Sequence, residues 1–239
     1  MLSYNQFRTK HKGSGLSIKQ VSSLWKKYPK KTTVHKPHPK IICSYEHVFE
    51  KSKVIILGDG IQYPNNAGTL VRHTSLLGVD AIFFSPLDEL RLNKIAQKKD
   101  YMVKGFVKKN DKWIYSNNFI KSLNRISSGY HQDICIIYNK NIKNIIEQAL
   151  EHNFEIFMLE NYVDADIRKV NLKSNKIMLI LGNETLGVGN VVQKYYDDGL
   201  INPLFIPSCI RGKSSFNVAN AGIIAMYERY RQVGCILYK

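Results

Sequence analysis

The rhythm of apolar and polar positions divides this chain. From about residue 51 onward, short apolar runs alternate with stretches whose apolar residues recur at helical spacing. Residues 54–57, 81–84, 134–138, 155–159, 177–181 and 204–206 read as strands, near-continuously apolar and therefore buried on both faces. Helices are predicted over 67–77, with Ala67, Leu70, Val71 and Thr74 on one face, and over 87–97, 117–126, 142–151 and 190–196. A last helix runs from Asn217 to Tyr230, with Val218, Ala221, Gly222, Ala225 and Met226 as its apolar stripe. Either Asn217 or Ser215 suits its N-cap. Residues 101–115 read as a short strand and an exposed loop. The alternation predicts an α/β fold, a mostly parallel sheet with helices on both faces. Ligands of such sheets bind beyond the carboxyl ends of the strands.

Residues 1–50 have a different texture and read as a basic extension to a domain spanning 51–239. The first 45 residues hold ten cations and no acid. Ile18, Val21, Leu24, Trp25 and Tyr28 sit at helical spacing, so one basic amphipathic helix is expected, ended by Pro29 and an extended linker through Pro37 and Pro39. This arm suits a phosphate backbone, with Lys26, Lys27, Lys30 and Lys31 as its candidate contacts. The whole chain of 239 residues carries 35 Lys and Arg against 19 Asp and Glu, a net charge of +16. Such a balance attracts a polyanion, most often nucleic acid.

Other classes are disfavoured. No apolar run approaches the ~18 residues of a membrane span, and the first ten residues lack a signal-peptide core. Cys43, Cys135, Cys209 and Cys235 are scattered without a Cys-x-x-Cys pair, which argues against zinc and against a secreted disulfide framework. A cytoplasmic protein with reduced thiols is the expectation.

Three strand ends concentrate the chemistry. After the strand at 54–57 comes Asp59 to Arg72, in which Asn66 is placed to cap the helix. Arg72 lies six residues on, about 9 Å up the axis at 1.5 Å per residue. Helical side chains lean toward the N-terminus, which turns its guanidinium back toward the strand ends. The strand at 177–181 runs into Gly182-Asn183-Glu184-Thr185-Leu186-Gly187-Val188-Gly189, a glycine-rich turn with one carboxylate. It is no Walker loop, because Gly-Lys-Ser/Thr is missing, and no dinucleotide fingerprint, because the third glycine is. The strand at 204–206 stops at Pro207, and a loop with Arg211, Lys213, Ser214 and Ser215 leads to the helix that begins at Asn217.

Taken together, Asn66-x-Gly68-x-x-x-Arg72, Gly182-Asn183-Glu184-x-x-Gly187, and Ile206-Pro207 with Ser215-Phe216-Asn217-Val218-Ala219 resemble the three-motif signature of the SpoU (TrmH) family, RNA ribose 2′-O-methyltransferases of the SPOUT superfamily. The resemblance spans roughly residues 51–233. It implies a deep trefoil knot in the C-terminal part of the domain, a rare exception to the usual connection rules. It implies S-adenosylmethionine as cofactor, held by the knotted loops, with Gly182, Ile206 and Phe216 at contact positions and Leu159, Asn183 and Gly187 beside them. It implies a homodimer through helices that include the one starting at Asn217, which the stripe of small residues there fits. The chain departs from the family in having Phe216 where leucine is usual, and in a more basic loop at 209–214, whose Arg211 and Lys213 suit a phosphate.

The expected reaction is methyl transfer from S-adenosylmethionine to a ribose 2′-hydroxyl in transfer or ribosomal RNA, without a metal. The resemblance assigns Arg72 as base, although a guanidinium normally stays charged and binds a phosphate more readily. Asn66 and Asn217 would orient the ribose and Arg72, Ser215 would bond near the acceptor or the loop, and Glu184 would fix Arg72 or the loop geometry. The alternative is a non-catalytic RNA-binding or ribosome-associated protein of the same fold. A nucleotide-hydrolysing enzyme is disfavoured by the missing Walker lysine and metal carboxylates.

Overall fold

A computed structural model describes Ser17, Lys19, Gln20 and residues 43–97, 105–209 and 215–234. The chain divides into two units, residues 1–38 and 39–239. In the first, Lys19 and Gln20 are helical. Ser17 and Gln20 form a reciprocal capping box: the Gln20 amide nitrogen donates to the Ser17 hydroxyl (3.3 Å), and the Ser17 amide donates to the Gln20 side-chain oxygen (2.8 Å). The predicted contacts Lys26, Lys27, Lys30, Lys31, Arg211 and Lys213 lie outside the described residues. So do residues 210–214 of the segment expected to be knotted.

The second unit begins with helix α1 (Tyr45–Lys51) and strand β1 (Val54–Asp59), then α2 (Pro64–Ser75), β2 (Ala81–Ser85) and α3 (Glu89–Ala96). A hairpin of β3 (Phe106–Lys109) and β4 (Lys112–Tyr115) follows, then α4 (Asn117–Ile126), a short 3₁₀ turn (Tyr130–Gln132), β5 (Cys135–Tyr138) and α5 (Ile142–Glu151). The chain continues through β6 (Glu155–Leu159), β7 (Ile177–Leu181), α6 (Asn190–Asp197) and β8 (Asn202–Leu204), and the last described helix is α7 (Val218–Val233). Six strands form one sheet in the order β5-β2-β1-β7-β6-β8, and all five pairings are parallel.

Period-two alternation sends the strand side chains to opposite faces, and both faces are covered. Val54, Ile56, Ile82, Phe84, Leu179 and Leu181 pack with α2, α4 and α7. Ile55, Leu57, Phe83, Ile156, Met158, Met178 and Ile180 pack with α1, α5 and α6. Full burial of each such side chain contributes about 1.5–3 kcal/mol. Gly222 of α7 sits against Leu70 of α2 and Leu181 of β7, where any Cβ would collide. Of the stripe Val218, Ala221, Gly222, Ala225 and Met226, the last three are buried in this chain's own core, while Val218 and Ala221 are half-buried.

Four local expectations are corrected. Helix α2 starts at Pro64, not at 67: its N-cap is Tyr63, with proline in the first turn where its missing N–H costs nothing. Asn66 thus lies inside the helix and does not cap it. Strand β8 sits two residues earlier than predicted and includes Pro203, which an edge strand tolerates. Residues 106–115 form an antiparallel hairpin whose turn residues Asn110 and Asp111 both have positive φ, 48° and 55°. That is the twist a two-residue hairpin needs, reached here without glycine. Finally, Cys43 and Cys135 are joined as a disulfide, their Cα atoms 5.3 Å apart, whereas all thiols were expected reduced. The fold brings the start of β5 beside Cys43, two residues before α1, across 92 positions of sequence, which spacing could not show.

Candidate active site

Three loops, after β1, β7 and β8, leave the same edge of the sheet and meet. The first follows β1. Asp59 is fully buried and receives both terminal nitrogens of Arg91, at 2.9 and 2.5 Å, and the Gly189 amide at 2.7 Å. Burial would lower the Arg91 pKa, but the attached Asp59 outweighs it and holds the guanidinium above its ordinary value. This pair fastens the end of β1 to α3 and to the second loop. The Tyr115 hydroxyl, fully buried and pushed well above the usual phenol range by that burial, donates to the Ile61 carbonyl at 2.9 Å.

The second loop follows β7. Gly182 lies so close to Gly187 and Val188 that a Cβ would collide with their backbone. Asn183 and Gly187 exchange backbone hydrogen bonds of 2.8 and 3.0 Å, and Gly187 takes φ 68°, which favours glycine. The Asn183 side chain is committed to this frame. Its oxygen accepts from the Thr185 and Leu186 amides at 2.9 and 3.0 Å, and its nitrogen donates to the Gly60 carbonyl at 2.8 Å. The third loop leads from Ile206 to α7, whose N-cap is Asn217: its Oδ1 accepts from the Ala219 and Asn220 amides at 3.0 and 3.4 Å.

Side chains from all three loops are linked. Asn217 Nδ2 donates to Asn66 Oδ1 at 3.0 Å, and Asn66 Nδ2 donates to Glu184 Oε1 at 2.9 Å. The Glu184 carboxylate also accepts the amides of Gln62 and Tyr63, at 3.1 and 3.3 Å, at the entrance to α2. A carboxylate there satisfies free donors and complements the helix dipole.

Beside this linkage lies a cavity of about 640 Å³, in the size range of small-molecule sites. Leu159, Gly182, Asn183, Glu184, Gly187, Ile206, Ser215, Phe216 and Asn217 all line it, nine of the eleven residues named from sequence for catalysis and cofactor binding. The other two are Asn66, which joins through its hydrogen bonds, and Arg72. Arg72 is exposed on α2, outside the lining, and among the described residues no side chain pairs with its guanidinium. Glu184 therefore holds the loop and Asn66 rather than Arg72. Reading the sequence missed Glu160, Asp59 and Arg91. Glu160 lines the cavity, accepts the Val188 amide at 2.8 Å, and is raised above the usual carboxylate range by burial. Its only sequence signal is an acid directly after an apolar strand.

Among the described residues, no group of three or more His, Cys, Asp or Glu side chains stands close enough to hold a metal ion. No helix among them is long and apolar enough to cross a membrane.

The SpoU rRNA Methylase family matches residues 106–227, just over half of the chain. This chain belongs to the SpoU rRNA methylase family. The match takes in the second and third loops and leaves the first, with Asn66 and Arg72, outside it. No curated protein matches the sequence. Among solved structures, the fold is similar to an AdoMet-bound rRNA methyltransferase from Sinorhizobium meliloti: 20% identity, TM-score 0.57, covering 77% of this chain and 57% of that one. It is also similar to the SpoU methyltransferase AviRb from Streptomyces viridochromogenes in complex with AdoMet: 17% identity, TM-score 0.59, 79% and 64% covered. A third likeness is to an RNA 2′-O ribose methyltransferase: 15% identity, TM-score 0.55, 85% and 61% covered. The SpoU chain described here thus spans less than two thirds of the length of each of these proteins, and at these identities the likeness is one of fold.

Proposed function

We propose that this SpoU-family protein transfers a methyl group from S-adenosylmethionine to a ribose 2′-hydroxyl in transfer or ribosomal RNA. The observation that carries the reading is the linkage Asn217–Asn66–Glu184, which joins three sequence-distant loops at the rim of one cavity. The cavity suits the cofactor in size and lining. Leu159, Leu181, Ile206 and Phe216 offer apolar walls for a flat ring, and Gly182, packed against the Gly187–Val188 backbone, lines the same cavity. When bound, the cofactor supplies an activated methyl group on a sulfonium, so the protein's task is alignment more than activation.

The asparagines are the positioning elements. Each spends its side chain on the other loops, which fixes the mouth of the cavity next to the first turn of α2. Arg72 stands about one and a half turns further along that helix, exposed and without a side-chain partner among the described residues. A guanidinium stays protonated at neutral pH. It holds the phosphodiester beside the target ribose and eases loss of the hydroxyl proton by stabilising the developing negative charge on oxygen. Ser215, exposed at the cavity lining, bonds near the acceptor. The net charge of +16 supports a polyanionic substrate.

Two measurements test this. Mapping 2′-O-methyl marks in total RNA with and without the protein should show one or a few marks that depend on it. Substitution Arg72→Ala should abolish those marks while cofactor binding, read by calorimetry, stays within about twofold, since the guanidinium lies outside the cavity. A near-normal rate for the variant, or a wild-type protein that fails to bind S-adenosylmethionine, overturns the assignment; the latter result favours a non-catalytic RNA-binding protein.

A further inference from the structure

Two carboxylates line the cavity, and they differ in how much acceptor capacity they have left. An ionised carboxylate offers about four lone-pair sites. Those of Glu184 are taken: the Gln62 and Tyr63 amides, Asn66 Nδ2 and, at 3.4 Å, Asn183 Nδ2 all point at it. Among the described residues, Glu160 receives only backbone amides, Val188 at 2.8 Å and its own neighbour Asn161. Roughly half of its capacity therefore remains, inside the cavity, on a side chain that burial has already made costly to keep charged. Nothing in the linkage of the three loops uses that capacity.

Position says what it meets. Leu159, Leu181 and Leu204 lie in one row across β6, β7 and β8, and Glu160 is the next residue after Leu159, its amide bonded to the Leu204 carbonyl at 3.1 Å. The apolar wall that suits an adenine thus passes directly into a carboxylate. The group covalently next to adenine in a nucleoside is the ribose, whose neighbouring hydroxyls are two donors at the spacing of two carboxylate oxygens. We infer that Glu160 recognises the ribose diol of the cofactor, making this cavity selective for ribonucleosides over deoxynucleosides. The inference rests on the methyltransferase reading for the identity of the ligand and adds a residue to it.

The test is binding by calorimetry, with S-adenosylmethionine, 5′-methylthioadenosine and the 2′-deoxy and 3′-deoxy forms of the latter as probes. Methylthioadenosine keeps the diol and lacks the amino acid. Glu160→Gln keeps an oxygen for the Val188 amide, and its unfolding midpoint is checked beside the wild type. Losing a hydrogen bond to a charged group predicts that each deoxy probe binds the wild type about ten- to a hundredfold more weakly. In Glu160→Gln that penalty should shrink to within about threefold, while S-adenosylmethionine and methylthioadenosine weaken by similar factors. A merely structural role would weaken all probes alike and leave the deoxy penalty unchanged, which overturns the inference. Weakening of S-adenosylmethionine alone makes a cationic group that methylthioadenosine lacks, the ammonium or the sulfonium, the partner and also overturns it. Wild-type protein that binds the deoxy probes as tightly as the ribo probe does so without any variant. If the wild type binds no S-adenosylmethionine at all, the methyltransferase reading falls, and this inference with it.

Discussion

Glu184 offers the sharpest test of how the loops are joined. Its carboxylate accepts from Gln62 N, Tyr63 N and Asn66 Nδ2, all within 3.3 Å, at the entrance to α2. Glu184→Ala leaves three donors without their acceptor in a partly buried place. A bond to a charged acceptor contributes about 1.5–3 kcal/mol when well buried, and the helix N-terminus adds about 0.3–1 kcal/mol. Water reaches part of this site and replaces some of the loss, so the expected cost is about 3 kcal/mol. At about 2–4 °C per kcal/mol for a chain of this size, the melting temperature should fall by about 6–12 °C. Glu184→Gln retains one oxygen but turns a donor toward the amides, and should cost about half as much.

Urea unfolding measures both variants, with a shifted midpoint at constant slope as the sign of a pure stability change. Double-mutant cycles then locate the partner. Coupling between positions 184 and 66 should be about 1 kcal/mol or more, whereas positions 184 and 72 should be additive within about 0.5 kcal/mol. A Glu184→Ala variant within about 0.5 kcal/mol of wild type, or stronger coupling to Arg72 than to Asn66, would refute the arrangement.

Two further outcomes follow from the same frame. Gly182→Ala should reduce S-adenosylmethionine affinity by at least about a hundredfold, because the added Cβ displaces the Gly187–Val188 backbone rather than a flexible side chain; unchanged affinity in calorimetry means the cradle is not part of the site. Asp59→Ala leaves the buried Arg91 with Asp88 as its one acidic partner among the described residues and should cost about 3 kcal/mol in urea unfolding, most of it recovered when Arg91 is also replaced by Met. Equal losses in the single and double variants would show that the pair is not what fastens these segments.

What the sequence revealed was whatever depends on local pattern. Buried parallel strands are apolar throughout, so β1, β2, β6 and β7 stood out, and the 3.6-residue rhythm located α4, α5 and α6 within a residue or two. The hairpin at 106–115 escaped because its turn uses Asn110 and Asp111 in place of glycine. The start of α2 was misplaced because Asn66 suits a cap as well as it suits a tertiary bond, and Pro64 carried the truer signal. The loops' glycines and polar residues were visible, but their partners were not. Glu184 reaches a side chain 118 positions away and Asn217 one 151 positions away, distances that no spacing rule covers. Glu160 and Arg91 looked like ordinary charges at the edges of elements, and only burial distinguishes them.

The convergence itself is a matter of register. Gly58, Leu181, Leu159 and Leu204 stand opposite one another on four neighbouring parallel strands, so the residues that follow them emerge along one rim. At about 4.8 Å between strands, that rim is about 14 Å long, enough to seat a nucleoside with its substituent. Inserting β7 between β1 and β6 is what brings the glycine-rich turn between the first loop and Glu160. A slip of β7 by one residue would turn Leu181 to the other face, pull Asn183 Nδ2 away from the Gly60 carbonyl, and separate Glu184 from α2. The apolar faces of the sheet forbid that slip far more strongly than any single bond at the rim does. The core of the sheet, not the loops, therefore sets the geometry in which Asn66, Glu184 and Asn217 meet.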